Sequence, residues 1–151
     1  TNMNKRILSL VLAIVMVFGT MSITFAATGN SKVDWLIEEG LVTGDEGGYR
    51  LQDSIRRSEV AAMVVRAVDK ESTATLLQPA VSRFSDMNSS NIYWARGYVN
   101  YVASEGIVNG YPNGTFGPYR DITYAEIIKI LVIVSGDIPD TTGFDGSAWA
   151  I

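Results

Sequence analysis

The sequence predicts a mostly α protein built from tandem helix-loop-helix repeats, and three observations carry that prediction. Trp94, Tyr98, Tyr101 and Val102 fall on one face of a 3.6-residue period. Thr123 and Glu126 form a capping box, with Ile122 and Ile127 placed as a hydrophobic staple, so a helix begins at Thr123. The third observation is internal similarity. Val33 to Gly44 aligns without a gap on Val99 to Gly110, matching Trp35 with Tyr101, Glu39 with Glu105, Gly40 with Gly106 and Gly44 with Gly110. Ile55-Arg56-Arg57-Ser58-Glu59-Val60 then aligns on Ile122-Thr123-Tyr124-Ala125-Glu126-Ile127, with one residue fewer in between and Tyr49 in the place of Phe116. A repeat of this kind decides architecture before any single motif does, because a helix pair of this size cannot bury both faces alone.

Taken in order, residues 1–26 read as a secretory signal peptide. Lys5-Arg6 is a short basic region, Ile7 to Phe18 is apolar apart from Ser9, and Thr24-Phe25-Ala26 supplies small residues for cleavage. The alternative is a retained membrane anchor, since no charge appears between Ile7 and Lys32. Small and hydroxyl residues from Gly19 to Thr24 dilute the apolar run and favour cleavage, which leaves no membrane segment. A partial first unit spans 33–69. Residues 70–83, polar and small with Pro79, read as a linker, and the second unit spans 84–134. In that unit Gly106 stops the first helix as a C-cap of positive φ, and Tyr111-Pro112-Asn113-Gly114 forms a turn. Phe116 points inward, and Gly106, Gly110, Pro112 and Gly114 are explained by turn geometry. The helix from Ala125 to Val134 is apolar nearly all round except Glu126 and Lys129, which predicts a central, buried position. A second linker covers 135–143, and 144–151, where Trp149-Ala150 echoes Trp94-Ala95, reads as the start of a truncated third unit.

Composition removes whole classes of function. There is no cysteine and no histidine, which excludes disulfides, thiolate and imidazole metal sites and His-based catalysis. Of the 12 basic residues, Lys5 and Arg6 leave with the leader. That leaves 10 against 16 acidic, a mature net charge of −6, which argues against nucleic acid as a partner. The Gly-Tyr-Pro-Asn-Gly turn offers too few carboxylates for calcium, and Asp45 and Glu46 on one loop are no glycosidase pair.

The second unit resembles an S-layer homology domain. The resemblance is carried by Phe84-Ser85-Asp86, Trp94-Ala95, Gly106-Ile107-Val108, Gly110 to Pro118 and Ile122-Thr123-Tyr124-Ala125-Glu126. It implies three tandem units in a pseudo-threefold helical bundle, incomplete here. It also implies a secreted, non-enzymatic module at the cell wall or S-layer that needs no cofactor and no metal. The partner it implies is a peptidoglycan-linked secondary cell-wall polysaccharide, often bearing ketal-linked pyruvate, with other S-layer subunits as further partners. The alternative is a structural or self-assembly module without direct polysaccharide binding.

The family's second helix opens with a Thr-Arg-Ala-Glu-like motif whose arginine serves the polymer groove. Here the first unit keeps the arginine as Arg57 but lacks the capping threonine, so tertiary packing must hold that helix end. The second unit keeps the cap and replaces the arginine by Tyr124. The groove residues so implied are Arg57, Glu59, Asp86, Trp94, Tyr124 and Glu126. At a helix N-terminus, Arg57 can grip a carboxylate in two-pronged fashion; otherwise it is a surface arginine paired with Glu59 or Asp53. Tyr124 stacks on a sugar or marks a groove that has lost its charge. Trp94 begins an apolar face and reads first as core, with sugar contact as its second reading. Asp86 makes a turn or lies near the groove.

Overall fold

The computed structural model describes residues 31–44 and 49–136. The expected signal peptide, the second linker apart from its first two residues, and the expected third unit lie outside them. Among the described residues five helices follow one another: α1 (Ser31–Glu38), α2 (Arg57–Ala67), α3 (Glu71–Leu77), α4 (Tyr93–Ser104) and α5 (Tyr124–Ser135). Two short 3-10 turns, Ser85–Met87 and Ser90–Ile92, lead into α4. Among the described residues there is no strand, only an isolated antiparallel bridge between Arg56 and Asp121.

The repeat is visible in hydrogen bonds. Gly40 and Gly106 both sit at positive φ, 67° and 69°. After α1, the N–H groups of Gly40, Leu41 and Val42 donate to Ile37, Leu36 and Leu36. After α4, those of Gly106, Ile107 and Val108 donate to Ala103, Val102 and Val102, at matching positions. The starts of α2 and α5 match as well. Glu59 accepts the Arg56 N–H and Glu126 accepts the Thr123 N–H, each at 2.7 Å. Thr123 completes its box by accepting from the Glu126 N–H, as the sequence predicts.

The core is a single cluster to which α2 and α4 contribute more side chains than any other element. α2 buries Val60, Ala61, Met63, Val64 and Val65 and packs on α4. α4 buries Ala95, Val99, Tyr101 and Val102. Trp94, expected in the core, is 45% exposed. The stripe toward the core runs through Ala95, Val99 and Val102 instead, one position round the helix from Trp94 and Tyr98.

Residues 70–83 were expected as a linker, yet they contain α3, which packs closely on α4. Ala74 is buried, and its carbonyl approaches Gly97 so nearly that a Cβ there would collide with it. Polar side chains complete the seating. The Asn100 amide donates to the carbonyls of Leu77 (3.2 Å) and Ala80 (3.3 Å), and the Tyr98 hydroxyl donates to Glu71 at 2.6 Å. A segment without an apolar run becomes helical because a neighbour satisfies it.

α5 departs from the expected central position. Ile127, Ile130 and Leu131 are buried, while Tyr124 and Ile128 are 43% and 50% exposed. One face therefore meets the core and the other does not.

Candidate functional site

The two units meet along one seam, and it begins with the backbone. The carbonyls of Phe116, Pro118 and Arg120, at every second residue, all accept from the start of α2. Phe116 O accepts the Arg57 Nε–H at 2.9 Å, and Arg120 O accepts the Arg57 N–H at 3.0 Å. Pro118 O accepts both the Ser58 N–H (3.2 Å) and its hydroxyl (2.7 Å). The Ile122 N–H then donates to Ile55 O at 3.0 Å. Segment 116–122 thus serves as the N-terminal cap that α2 lacks in its own sequence. Tertiary packing holds that helix end, and it does so by supplying acceptors to two of its unsatisfied amides.

Arg57 is 2% exposed and takes neither of the two expected positions. The free amides expected around it already hold carbonyls, and its side chain is not at the surface. It pairs with Glu126 of the other unit rather than with Glu59 or Asp53. Its guanidinium carbon lies 4.8 Å from the Tyr111 ring centre and 4.9 Å from that of Phe116. Burial at the helix start follows from the seam, because docking 116–120 on the first turn of α2 leaves its first side chain beneath the strap. Nη2 is buried and finds no hydrogen-bond partner among the described residues.

Glu126 collects the donors of the seam. Besides Arg57 it accepts from the Thr123 N–H (2.7 Å), the Thr123 hydroxyl (3.0 Å) and the Tyr111 hydroxyl (3.1 Å). Burial pushes its pKa up, but the Thr123 amide, the Arg57 charge and the two hydroxyls outweigh that, and the carboxyl sits below its ordinary value. Tyr111 moves the other way. Burial, together with the Glu126 charge and its hydrogen bond, raises its pKa against the pull of Arg57 and Arg120, and it remains a hydroxyl donor.

Asp86 fixes the strap from its own unit. Its two oxygens accept the N–H groups of Phe116 and Gly117, each at 2.8 Å, so its role is neither a local turn nor a helix cap. Gly110, at φ 75°, passes against Phe84, whose ring lies 5.6 Å from that of Phe116. Glu59, the counterpart of Glu126, pairs with Arg50. Tyr49, the counterpart of Phe116, is 46% exposed where Phe116 is 1% exposed.

The structure therefore brings Arg57, Glu126 and Asp86 to one seam and places Glu59 at the start of the same helix. Trp94 and Tyr124 lie outside these contacts, both exposed. Sequence reading missed Ser58, Tyr111 and Arg120 as parts of the seam. Tyr111 stood inside the singled-out turn, but nothing local reveals that its hydroxyl reaches Glu126, 15 residues on. Among the described residues no group of three or more acidic side chains is placed to hold a metal ion. No helix among them is long and apolar enough to cross a membrane. The small cavity under the seam, bordered by Arg57, Val64, Val102 and Ile130, is a gap in an apolar core and not a sugar site.

Residues 83–128 match the family model of the S-layer homology domain. The middle cell wall protein of Brevibacillus brevis is 33% identical over 92% of this chain. The surface layer protein of Brevibacillus choshinensis is 32% identical over 92% of it. The cellulosome-anchoring protein of Acetivibrio thermocellus is 28% identical over 58% of it. The chain spans only 14%, 13% and 19% of those proteins. No solved structure matches the chain.

Proposed function

The chain carries an S-layer homology domain at residues 83–128, and on that premise we propose that it anchors an exported protein to the cell wall without a covalent bond. It does so by binding a secondary cell-wall polysaccharide, a pyruvylated one in the fuller form of the reading. The observation that carries the proposal is the family match, extended over 92% of the chain by relatives named for the cell wall and the surface layer. One relative is named for anchoring itself. The module works at the cell surface, and it is a binding module rather than an enzyme. An amylopullulanase of Thermoanaerobacterium thermosulfurigenes shares 37% identity with this chain, but the shared part is 5% of that protein, and its activity is not carried over.

The seam supports the reading chemically. An acidic protein that binds an acidic polymer needs a local excess of positive charge, since its overall field repels the ligand. Arg56, Arg57 and Arg120 all lie at the seam. Of its carboxylates, Glu126 is paired with Arg57 and Asp86 accepts the Phe116 and Gly117 amides, which leaves Arg56 and Arg120 outside any ion pair among the described residues. The face around the seam, with exposed Tyr119 and Tyr124, is where the ligand is expected.

Co-sedimentation of the chain with purified sacculi tests this. Binding is expected to intact walls and to be lost after chemical removal of the wall polysaccharide. Failure to bind intact walls would leave the units as assembly elements of a surface layer, a role that the half-exposed Ile128 and Tyr124 of α5 would suit.

A further inference from the structure

Arg57 is the arginine that motif reading selects for the polymer, yet its guanidinium is buried against the protein's own carboxylate and carbonyl. A second cation stands on the same aromatic ring. The Arg120 guanidinium carbon lies 4.8 Å from the centre of Tyr111, the same distance as that of Arg57. Arg120 is exposed, and no ion pair among the described residues reaches it. Its stacking is built in. Gly117 sits at φ 71°, and a Cβ there would come within 2.9 Å of both Arg120 Cδ and Tyr111 Cε2. Its backbone is fixed from both sides, the N–H donating to Gly117 O and the carbonyl accepting from Arg57, each at 3.0 Å. The matching residue of the first unit is Asp53, of opposite charge, so the feature belongs to the second unit alone. An arginine whose stem and backbone are held while its charge is unpaired is preorganised for an anion, because little side-chain freedom remains to be lost on binding.

We propose that Arg120, stacked on Tyr111, is the residue that meets a carboxylate of the wall polymer, and that Arg57 is a positioning residue that holds the strap beneath it. Arg56 lies 5.8 Å from the ring of Tyr119 on the same segment, also without an ion pair among the described residues, and adds to the positive field. This assignment depends on the chain binding wall polymer at all, so the test separates the two. Titration calorimetry would use the whole chain with purified wall polysaccharide, either carrying its carboxylates or with them amidated to neutral groups. Wild type is expected to prefer the native polymer. Arg120→Gln is expected to lose about tenfold in affinity for it, as a charge-assisted hydrogen bond implies, with the thermal midpoint unchanged. In that variant the preference over the amidated polymer disappears, and Arg120→Lys restores part of it. Arg57→Lys is expected to lower the thermal midpoint and weaken binding while the preference for carboxylates persists. Unchanged affinity in Arg120→Gln, or a wild type that treats both polymers alike, would overturn the assignment and leave the anchoring function standing. A wild type that binds neither polymer would overturn both.

Discussion

At Arg57 one side chain joins two units. It donates to Phe116 O, pairs with Glu126 and stacks on two rings, all in a place from which water is largely excluded. Removing one partner of a buried pair is costly because the other charge stays buried without compensation. Arg57→Ala is therefore expected to destabilise by about 3 to 5 kcal/mol, read from urea unfolding. Adding Glu126→Met to Arg57→Met is expected to recover only the part of that loss owed to the uncompensated charge, because the Thr123 amide and the Tyr111 hydroxyl then lose their acceptor. The pair also sets the acid limb. A carboxylate held below its ordinary value contributes stability that is complete above the unfolded value and is lost as pH falls through the folded one. Wild type should thus lose seam stability only in acid, below the ordinary carboxylate range. Glu126→Gln should flatten that limb of the stability profile, and an unaltered limb would count against the seam as its source.

Among the elements, α3 shows most clearly how neighbours create structure. It is seven residues long, too short to be stable by itself, and it is held by Ala74 against Gly97 and by a polar cluster at its start. In that cluster Glu71 accepts from Tyr98 and from Arg66 Nε, the latter at 3.1 Å. The Tyr98 bond, with help from Arg66, lowers the Glu71 pKa against its partial burial. Gly97→Ala is expected to push α3 off α4, since the added methyl meets the backbone of Ala74 and not a flexible side chain. Amide exchange should report it as lost protection in 71–77 with α2 retained. α5 depends on local signals instead, and Thr123→Ala should cost about 1 kcal/mol through loss of the cap. Its start was legible in sequence because a capping box uses only residues 123 to 126. α3 was illegible because its reasons lie on another helix.

Across the whole molecule, the seam makes two similar units one folding body. Hydrogen bonds from 55–58 to 116–122 cross between them, and the hydrophobic cluster draws on both. The described chain is expected to unfold in a single transition, with fluorescence of Trp35 and Trp94 changing together with helix content. Two separated transitions would mean that the seam does not couple the units. Arg57→Ala, which cuts that link, is the variant expected to split them.

What the sequence determined was everything that local chemistry and periodicity control. The helix class, the glycine stops at 40 and 106 and the cap at Thr123 all follow from residues a few positions apart, and the correspondence between units follows from the recurrence of those local signals. The family was legible for the same reason, since its motifs are turns and caps. Only the tertiary structure decided the direction of the polar side chains that reach from one unit to the other. Arg57 and Arg120 are alike as sequence, one cation each beside a turn, yet among the described residues one is buried and ion-paired and the other is exposed and outside any ion pair. That difference arises because segment 116–122 docks on the first turn of α2, a contact between residues about sixty positions apart. Such a contact leaves no periodic trace, so which of the two cations stays exposed had to come from the fold.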